Sequence, residues 1–179
     1  NSGKLGYMAL LRNLRNVIEA KVSTKHFEMV CATIANPTQV AKAKQLPFRF
    51  LAAYRELLTI KDQYTNATLA ALENAVKASV VNMRGFGMDT KVVIACDVSG
   101  SMQKSISPKS KILNYDIGLM LGMLLQSKCR NVQAGMFGDT WKIVNMPTQN
   151  ILSNVQEFYR REGSVGYSTN GHLVINDLY

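Results

Sequence analysis

The sequence predicts two unlike parts: an α-helical repeat array over residues 1–88, then an open α/β sheet over residues 89–179. Three observations carry this. Up to about residue 81, apolar residues recur at three- and four-residue spacing, which gives a helix one buried face. Past Gly85 and Gly87 the pattern changes to short β-branched runs alternating with an apolar helix. The charge is also uneven. Residues 1–88 hold twelve Lys/Arg against five Asp/Glu, a net of +7, and residues 89–179 hold nine against seven, a net of +2.

In the first part, Leu10, Leu11, Leu14, Val17 and Ile18 define one helix, with Ser2 as an upstream cap. Ser23 or Thr24 opens the next, with Phe27, Val30, Cys31 and Ile34 inward. Asn36-Pro37, a cap followed by proline at the first helical position, starts a short helix ending near Lys44. Pro47 opens another through Phe50, Leu51, Tyr54 and Leu57. Thr65 or Asn66 caps the last, with Leu69, Leu72, Val76 and Val80 inward. Five short helices with short joints suit stacked helix pairs, and a compact bundle is the rival.

The second part opens with Lys91 to Cys96, a β-branched run suited to a buried central strand. Residues 111–127 read as a helix with Ile112, Leu113, Ile117, Leu121, Leu124 and Leu125 inward. Val132–Phe137 is a strand, Gly138-Asp139 a turn, and Trp141–Val144 another strand. A helix over 149–159 buries Ile151, Leu152, Val155 and Phe158. A glycine-bearing loop over 163–168 leads to a last helix within 169–179. Strand–helix–strand order predicts a largely parallel sheet.

The sharpest chemistry is Asp97-Val98-Ser99-Gly100-Ser101, directly after the first strand. Ligands of open α/β sheets sit at the carboxyl ends of strands. Asp97, Ser99 and Ser101 offer hard oxygens on alternate positions, part of a six-oxygen shell of the kind Mg²⁺ takes with water. The plain alternative is a cluster that caps the following turn. Three catalytic patterns are missing. Ser99 stands where a phosphoryl-transferring aspartate pair needs its second carboxylate, the glycines of a nucleophile elbow are absent, and so is a phosphate-cradling Gly-x-x-x-x-Gly-Lys motif. His26 and His172 have neither metal-ligand spacing nor a nucleophile to activate, and no enzyme is expected.

These residues carry a family resemblance. Val93 to Met102 resembles the metal-ion-dependent adhesion site (MIDAS) of von Willebrand factor A domains. The chain as a whole resembles the Ro ribonucleoprotein autoantigens, which join a TROVE module of helical repeats to such a domain. Met8-Ala9-Leu10-Leu11-Arg12-Asn13-Leu14-Arg15 and Leu46-Pro47-Phe48-Arg49-Phe50-Leu51 are similar to repeat helices of that module, and Ser168-Thr169-Asn170 to its metal-site loop. The resemblance implies that Asp97, Ser99, Ser101 and Thr169 bind Mg²⁺ or another divalent cation, with Asp139 beside the site rather than a direct ligand. It implies that residues 1–88 are the C-terminal part of a repeat array, with further helices before Asn1, and that residues 89–179 form a partial, open α/β sheet, whose edge is left uncovered by the lack of a strand expected after Tyr179. Weak metal affinity, or a neighbouring chain on that edge, is then expected.

The resemblance also implies RNA binding, to small structured Y-like RNA or misfolded non-coding RNA. Arg12, Arg15, Lys21, Lys42, Lys44, Arg49 and Arg55 are the candidate RNA-binding residues, with Lys25 a further cation and Tyr7, Phe48 and Tyr54 as possible stacking groups. A metal-dependent adhesion module that takes an acidic protein ligand, without RNA, is the alternative; it leaves the +7 of the helical part without a purpose. Sparse cysteines without a CxxC (Cys31, Cys96, Cys129) suit reduced thiols in a cytoplasmic setting. No apolar stretch reaches the ~18–20 residues of a spanning helix, and no signal peptide is read, so no membrane partner is expected.

Overall fold

The computed structural model describes residues 5–87, 89–159 and 161–178; the Ser2 cap lies outside them. The chain divides into two compact units, Asn1–Met83 and Arg84–Tyr179.

The first unit contains helices α1 (Tyr7–Arg12), α2 (Leu14–Glu19), α3 (Thr24–Ala35), α4 (Pro37–Ala43), α5 (Phe48–Leu57) and α6 (Thr65–Ser79). Two start signals act as their chemistry dictates, whereas at α6 neither Thr65 nor Asn66 is the cap: Tyr64 stands at that position without a side-chain bond, and Thr65 Oγ1 donates to the Ile60 carbonyl at 3.1 Å instead. Ser23 Oγ accepts the His26 backbone N–H at 3.4 Å, and Asn36 Oδ1 accepts that of Gln39 at 3.0 Å, with Pro37 at the first helical position. α6 packs against α3, α4 and α5. Leu11, Leu14, Ile18, Phe27, Ile34, Phe50, Leu51, Leu57, Leu72 and Val76 are buried in this unit. Leu69 and Val80, expected inward on α6, are only half-buried.

One expected helix is two. The run from Leu10 to Ile18 breaks at Asn13, whose φ of −105° and ψ of 11° are not helical. Its amide Nδ2 donates to the Ala9 carbonyl at 2.8 Å and its Oδ1 accepts from Asn16 Nδ2 at 2.9 Å. A short amide side chain that bonds its own backbone competes with the helix ladder.

The second unit contains β1 (Lys91–Asp97), α7 (Asn114–Gln126), β2 (Asn131–Phe137), β3 (Trp141–Ile143), α8 (Ile151–Tyr159) and α9 (His172–Leu178). The sheet order is β1-β2-β3. β1 and β2 are parallel, in register from Lys91 opposite Asn131 to Asp97 opposite Phe137; β3 runs antiparallel to β2, with Trp141 opposite Phe137. The sheet is therefore mixed, not largely parallel. The Gly138–Thr140 joint is long enough for a hairpin and far too short for the crossover a parallel pair needs. β1 stands at the edge, paired on one side only among the described strands.

α7 starts at Asn114 rather than 111, where buried Asp116 accepts the Leu113 backbone N–H on Oδ2 at 2.7 Å. Its buried face is Tyr115, Leu119, Met120, Met123 and Leu124, whereas Leu121, expected inward, is 39% exposed. Ile112 and Leu124 are buried as expected, and Tyr115, Leu119, Met120 and Met123 join them in place of Leu121. Gly122 gives that face its close approach to the sheet: a Cβ there would stand 2.9 Å from Cys96 Sγ and 3.3 Å from Ile94 Cγ2. Tyr115 Oη donates to the Phe158 carbonyl at 2.8 Å and ties α7 to α8.

Candidate functional site

The carboxyl ends of β1 and β2 carry three loops that are stitched together. The ladder continues one bond past the strand, with Val98 N donating to Phe137 O at 3.1 Å. Asp97, half-buried, then turns the chain by accepting the Ser99 N–H on Oδ1 at 2.9 Å. Ser99 is buried, and its Oγ lies 3.3 Å from Ser101 Oγ, so two of the expected ligand hydroxyls face each other. Gly100 N donates to Tyr167 O at 2.8 Å and fastens this loop to the one that carries Thr169.

The Thr169 loop is held on its other side by the hairpin turn. Asp139 Oδ1 accepts the Ser168 N–H at 2.8 Å, and Asn170 Nδ2 donates to the Asp139 carbonyl at 3.1 Å. Thr140 N donates to Val165 O, and Asn170 N to Gly138 O. Hydrogen bonds from the Ser168 hydroxyl and the Ser168 and Tyr167 N–H groups hold the Asp139 carboxyl below its ordinary value. Gly166 makes the clasp possible. Its φ of +77° is a left-handed conformation, and a Cβ there would overlap the Asp139 carboxylate. Thr169 itself is exposed. Asp139 thus acts as a brace for the loop, a role its sequence position alone does not reveal.

The expected donors are one carboxylate and three hydroxyls, of which the hydroxyls of Ser99 and Ser101 face each other. Among the described residues no group of three His, Cys, Asp or Glu gathers to hold a metal ion. Hard oxygens are the donor type that Mg²⁺ takes, together with several waters. Cys96, on β1 just before Asp97, donates to the Gly118 carbonyl at 3.7 Å, and burial pushes its thiol up to about 12. Such a thiol stays protonated near neutral pH and is no nucleophile.

The basic residues of the helical unit divide into committed and uncommitted cations. Arg15 donates through Nε to Glu19 Oε1 at 2.8 Å and through Nη1 to Glu56 Oε1 at 2.6 Å. Both carboxylates raise its guanidinium above the ordinary value. Arg55 is half-buried on α5 and engaged by neighbours. Arg49 lies 5.5 Å from the Phe48 ring centroid. Arg12 closes α1 and is exposed. Lys42 and Lys25 are exposed on α4 and α3. Lys21 and Lys44 both follow helix ends with φ of +47°. Of the expected stacking rings, Tyr54 is buried in the core. Tyr7 is half-buried, donates its hydroxyl to Ile34 O at 2.7 Å and meets Phe50 edge-on. His26 and His172 are exposed. Sequence reasoning missed Glu56, which is 41 residues from Arg15 and carries no local signal.

The TROVE domain family model matches residues 1–129, more than half of the chain, and so extends through β1 and α7 into the second unit. Telomerase protein component 1 of Mus musculus is 36% identical over 63 residues, and that of Rattus norvegicus 38% over 63 residues. These segments are 35% of this chain and 2% of each relative. The crystal structure of the Deinococcus radiodurans RO (RSR) protein superimposes with a TM-score of 0.61 at 17% identity, over 91% of this chain and 34% of that one. The chain therefore spans a small part of the curated relatives it matches and about a third of that structure.

Proposed function

This chain belongs to the TROVE domain family, and from that premise we propose that it is a non-catalytic RNA-binding protein with a divalent-cation site on its α/β unit. The carrying observation is the set of exposed cations on the helical unit, Arg12, Lys21, Lys42 and Lys44. They sit on the part of the chain with a net charge of +7. Phosphate contacts supply the affinity of such a surface and make it salt-dependent. Small structured Y-like RNA or misfolded non-coding RNA is the proposed ligand class, encountered in the cytoplasm as a ribonucleoprotein.

The second part of the reading is a von Willebrand factor A-like unit that holds Mg²⁺ or another divalent ion on Asp97, Ser99, Ser101 and Thr169. The facing Ser99 and Ser101 hydroxyls support it. The bound ion would leave positions for water and for an acidic ligand from a protein partner. Filter binding with a structured RNA from 50 to 200 mM salt tests the RNA reading. Affinity falling in a straight line on a log–log plot is expected, and a flat response overturns it.

A further inference from the structure

The Thr169 loop holds the one Asn-Gly step of the sequence, Asn170-Gly171; every other asparagine is followed by a residue with a side chain. Attack of the Gly171 nitrogen on the Asn170 side-chain carbonyl carbon closes a succinimide ring. A side chain on the following residue crowds that approach, and glycine leaves it open. Packing does not demand the glycine. Its φ is not in the left-handed region, and a Cβ at residue 171 would meet Phe137 Cε2 at 3.4 Å and Cζ at 3.5 Å, ordinary contact distances. The Gly171 N–H has no hydrogen-bond partner among the described residues. The loop is open to water, with Ser168 and Thr169 exposed and Asn170 and Gly171 half-buried.

Asn170 serves the clasp as a donor. Its Nδ2 donates to Asp139 O at 3.1 Å, and its backbone N–H donates to Gly138 O at 3.1 Å. A carboxylate in place of the amide only accepts. It deletes the bond to Asp139 O and sets a negative oxygen against a carbonyl. It also puts a second carboxylate beside Thr169, where the expected donor set has Asp97 alone. Carboxylate oxygens are the donors a hard dication takes most readily.

We propose that Asn170-Gly171 is a self-modifying step that converts a clasp donor into a carboxylate on the cation loop. The Gly171 nitrogen, its proton passing to solvent base, bonds to Asn170 Cγ. The Cγ–Nδ2 bond breaks and Nδ2 leaves as ammonia. Water then opens the ring at one of its two C–N bonds. Opening at Cγ leaves aspartate, and opening at the backbone carbon leaves isoaspartate, whose main chain runs through Cγ. The sum is one water in and one ammonia out, with no oxidant or nucleotide consumed. Ring closure draws Nδ2 off Asp139 O, so the folded chain reacts more slowly than the unfolded one. The effect on cation binding rests on the cation-site reading; the modification itself does not.

The test is peptide mass mapping of the full chain held in warm, near-neutral buffer, for wild type, Gly171→Ala and Asn170→Gln, with Mg²⁺ calorimetry on wild type and Asn170→Asp. Wild type is expected to show the amide-to-acid mass gain at Asn170 ahead of every other asparagine, with isoaspartate among the products. Gly171→Ala, which the packing admits, and Asn170→Gln, whose longer side chain closes its ring with difficulty, each slow the gain roughly tenfold or more. Asn170→Asp binds Mg²⁺ roughly tenfold more tightly than wild type. If Asn170 stays an amide in the folded chain long after the urea-unfolded chain has converted, or if Gly171→Ala converts as fast as wild type, the proposal is overturned. If Mg²⁺ binds wild type and Asn170→Asp equally, the new carboxylate is no donor; that half of the proposal fails while the cation reading stands. If Mg²⁺ binds neither protein, the cation reading fails and takes that half with it, and the mass gain at Asn170 alone decides the modification.

Discussion

Asp139 and Ser168 lie 29 residues apart, yet the Asp139 carboxylate accepts the Ser168 N–H at 2.8 Å and so sets where the Thr169 loop runs. The relationship has a direction in pH. The folded carboxyl titrates below its ordinary 3.8, held there first by the Ser168 hydroxyl. Its stabilisation is complete above 3.8 and is lost as pH falls through the lower folded value. Asp139→Asn keeps an acceptor but not the charge. The gap in Tm between wild type and Asp139→Asn is expected to be open at pH 6 and to narrow only as pH falls below 3.8, as thermal melts across that range will measure.

Gly166→Ala tests the same clasp by steric means. A left-handed alanine costs about 1–2 kcal/mol, and its Cβ overlaps Asp139 besides. Urea unfolding should show a loss of about 2 kcal/mol or more for Gly166→Ala. Gly166→Ala with Asp139→Ala recovers only the overlap part, because φ stays positive.

For the cation site, Mg²⁺ or Mn²⁺ titration by calorimetry compares wild type with Asp97→Ala. The one carboxylate of the donor set carries the charge for a hard dication, so its loss should abolish measurable binding. Equal affinities in the two proteins would sink the assignment.

Lys44 follows the end of α4 with a φ of +47°, where glycine is the unstrained choice. Lys44→Gly exchanges the left-handed penalty for a more flexible unfolded chain, so stability should change by less than about 1 kcal/mol. RNA affinity should nevertheless fall and its salt slope become shallower. Melting and filter binding on the same preparation separate the two effects.

Glu56 Oε1 pairs with Arg15 Nη1 at 2.6 Å on the surface of the helical unit. Exposed ion pairs contribute about 0.2–1 kcal/mol, so Glu56→Gln should lower stability by no more than that. It removes a negative charge from the basic helical unit and leaves Arg15 paired with Glu19 alone. Affinity for oligouridylate should rise at low salt, and the gain should vanish at high salt.

Local chemistry made much of the fold legible. Ser23, Asn36-Pro37 and Pro47 announce α3, α4 and α5 because caps and prolines act within a turn of themselves. The β-branched run into Asp97 announces β1 and the loop beyond it for the same reason. What escaped depends on groups that meet only after folding. Asn13 looked like one more helix residue, and its amide turns back on Ala9. The α7 stripe was assigned to Leu121 over Met123 because hydropathy ranks side chains without knowing which side the sheet is on. The mixed sheet follows from the three-residue Gly138–Thr140 joint, which fits a hairpin turn and no parallel crossover. Glu56 and Ser168 acquire their roles at 41 and 29 residues' separation, beyond any window of sequence.

The close seat of Gly122 over Cys96 makes that thiol a clock. No reagent fits between α7 and β1 while the two are in contact, and a thiol pushed up to about 12 reacts only after water reaches it. Alkylation of Cys96 therefore counts the rate at which α7 lifts from the strand that ends in Asp97. If a cation steadies that strand end, the count slows when the cation is added, and the occupancy of the loop can be timed from beneath it.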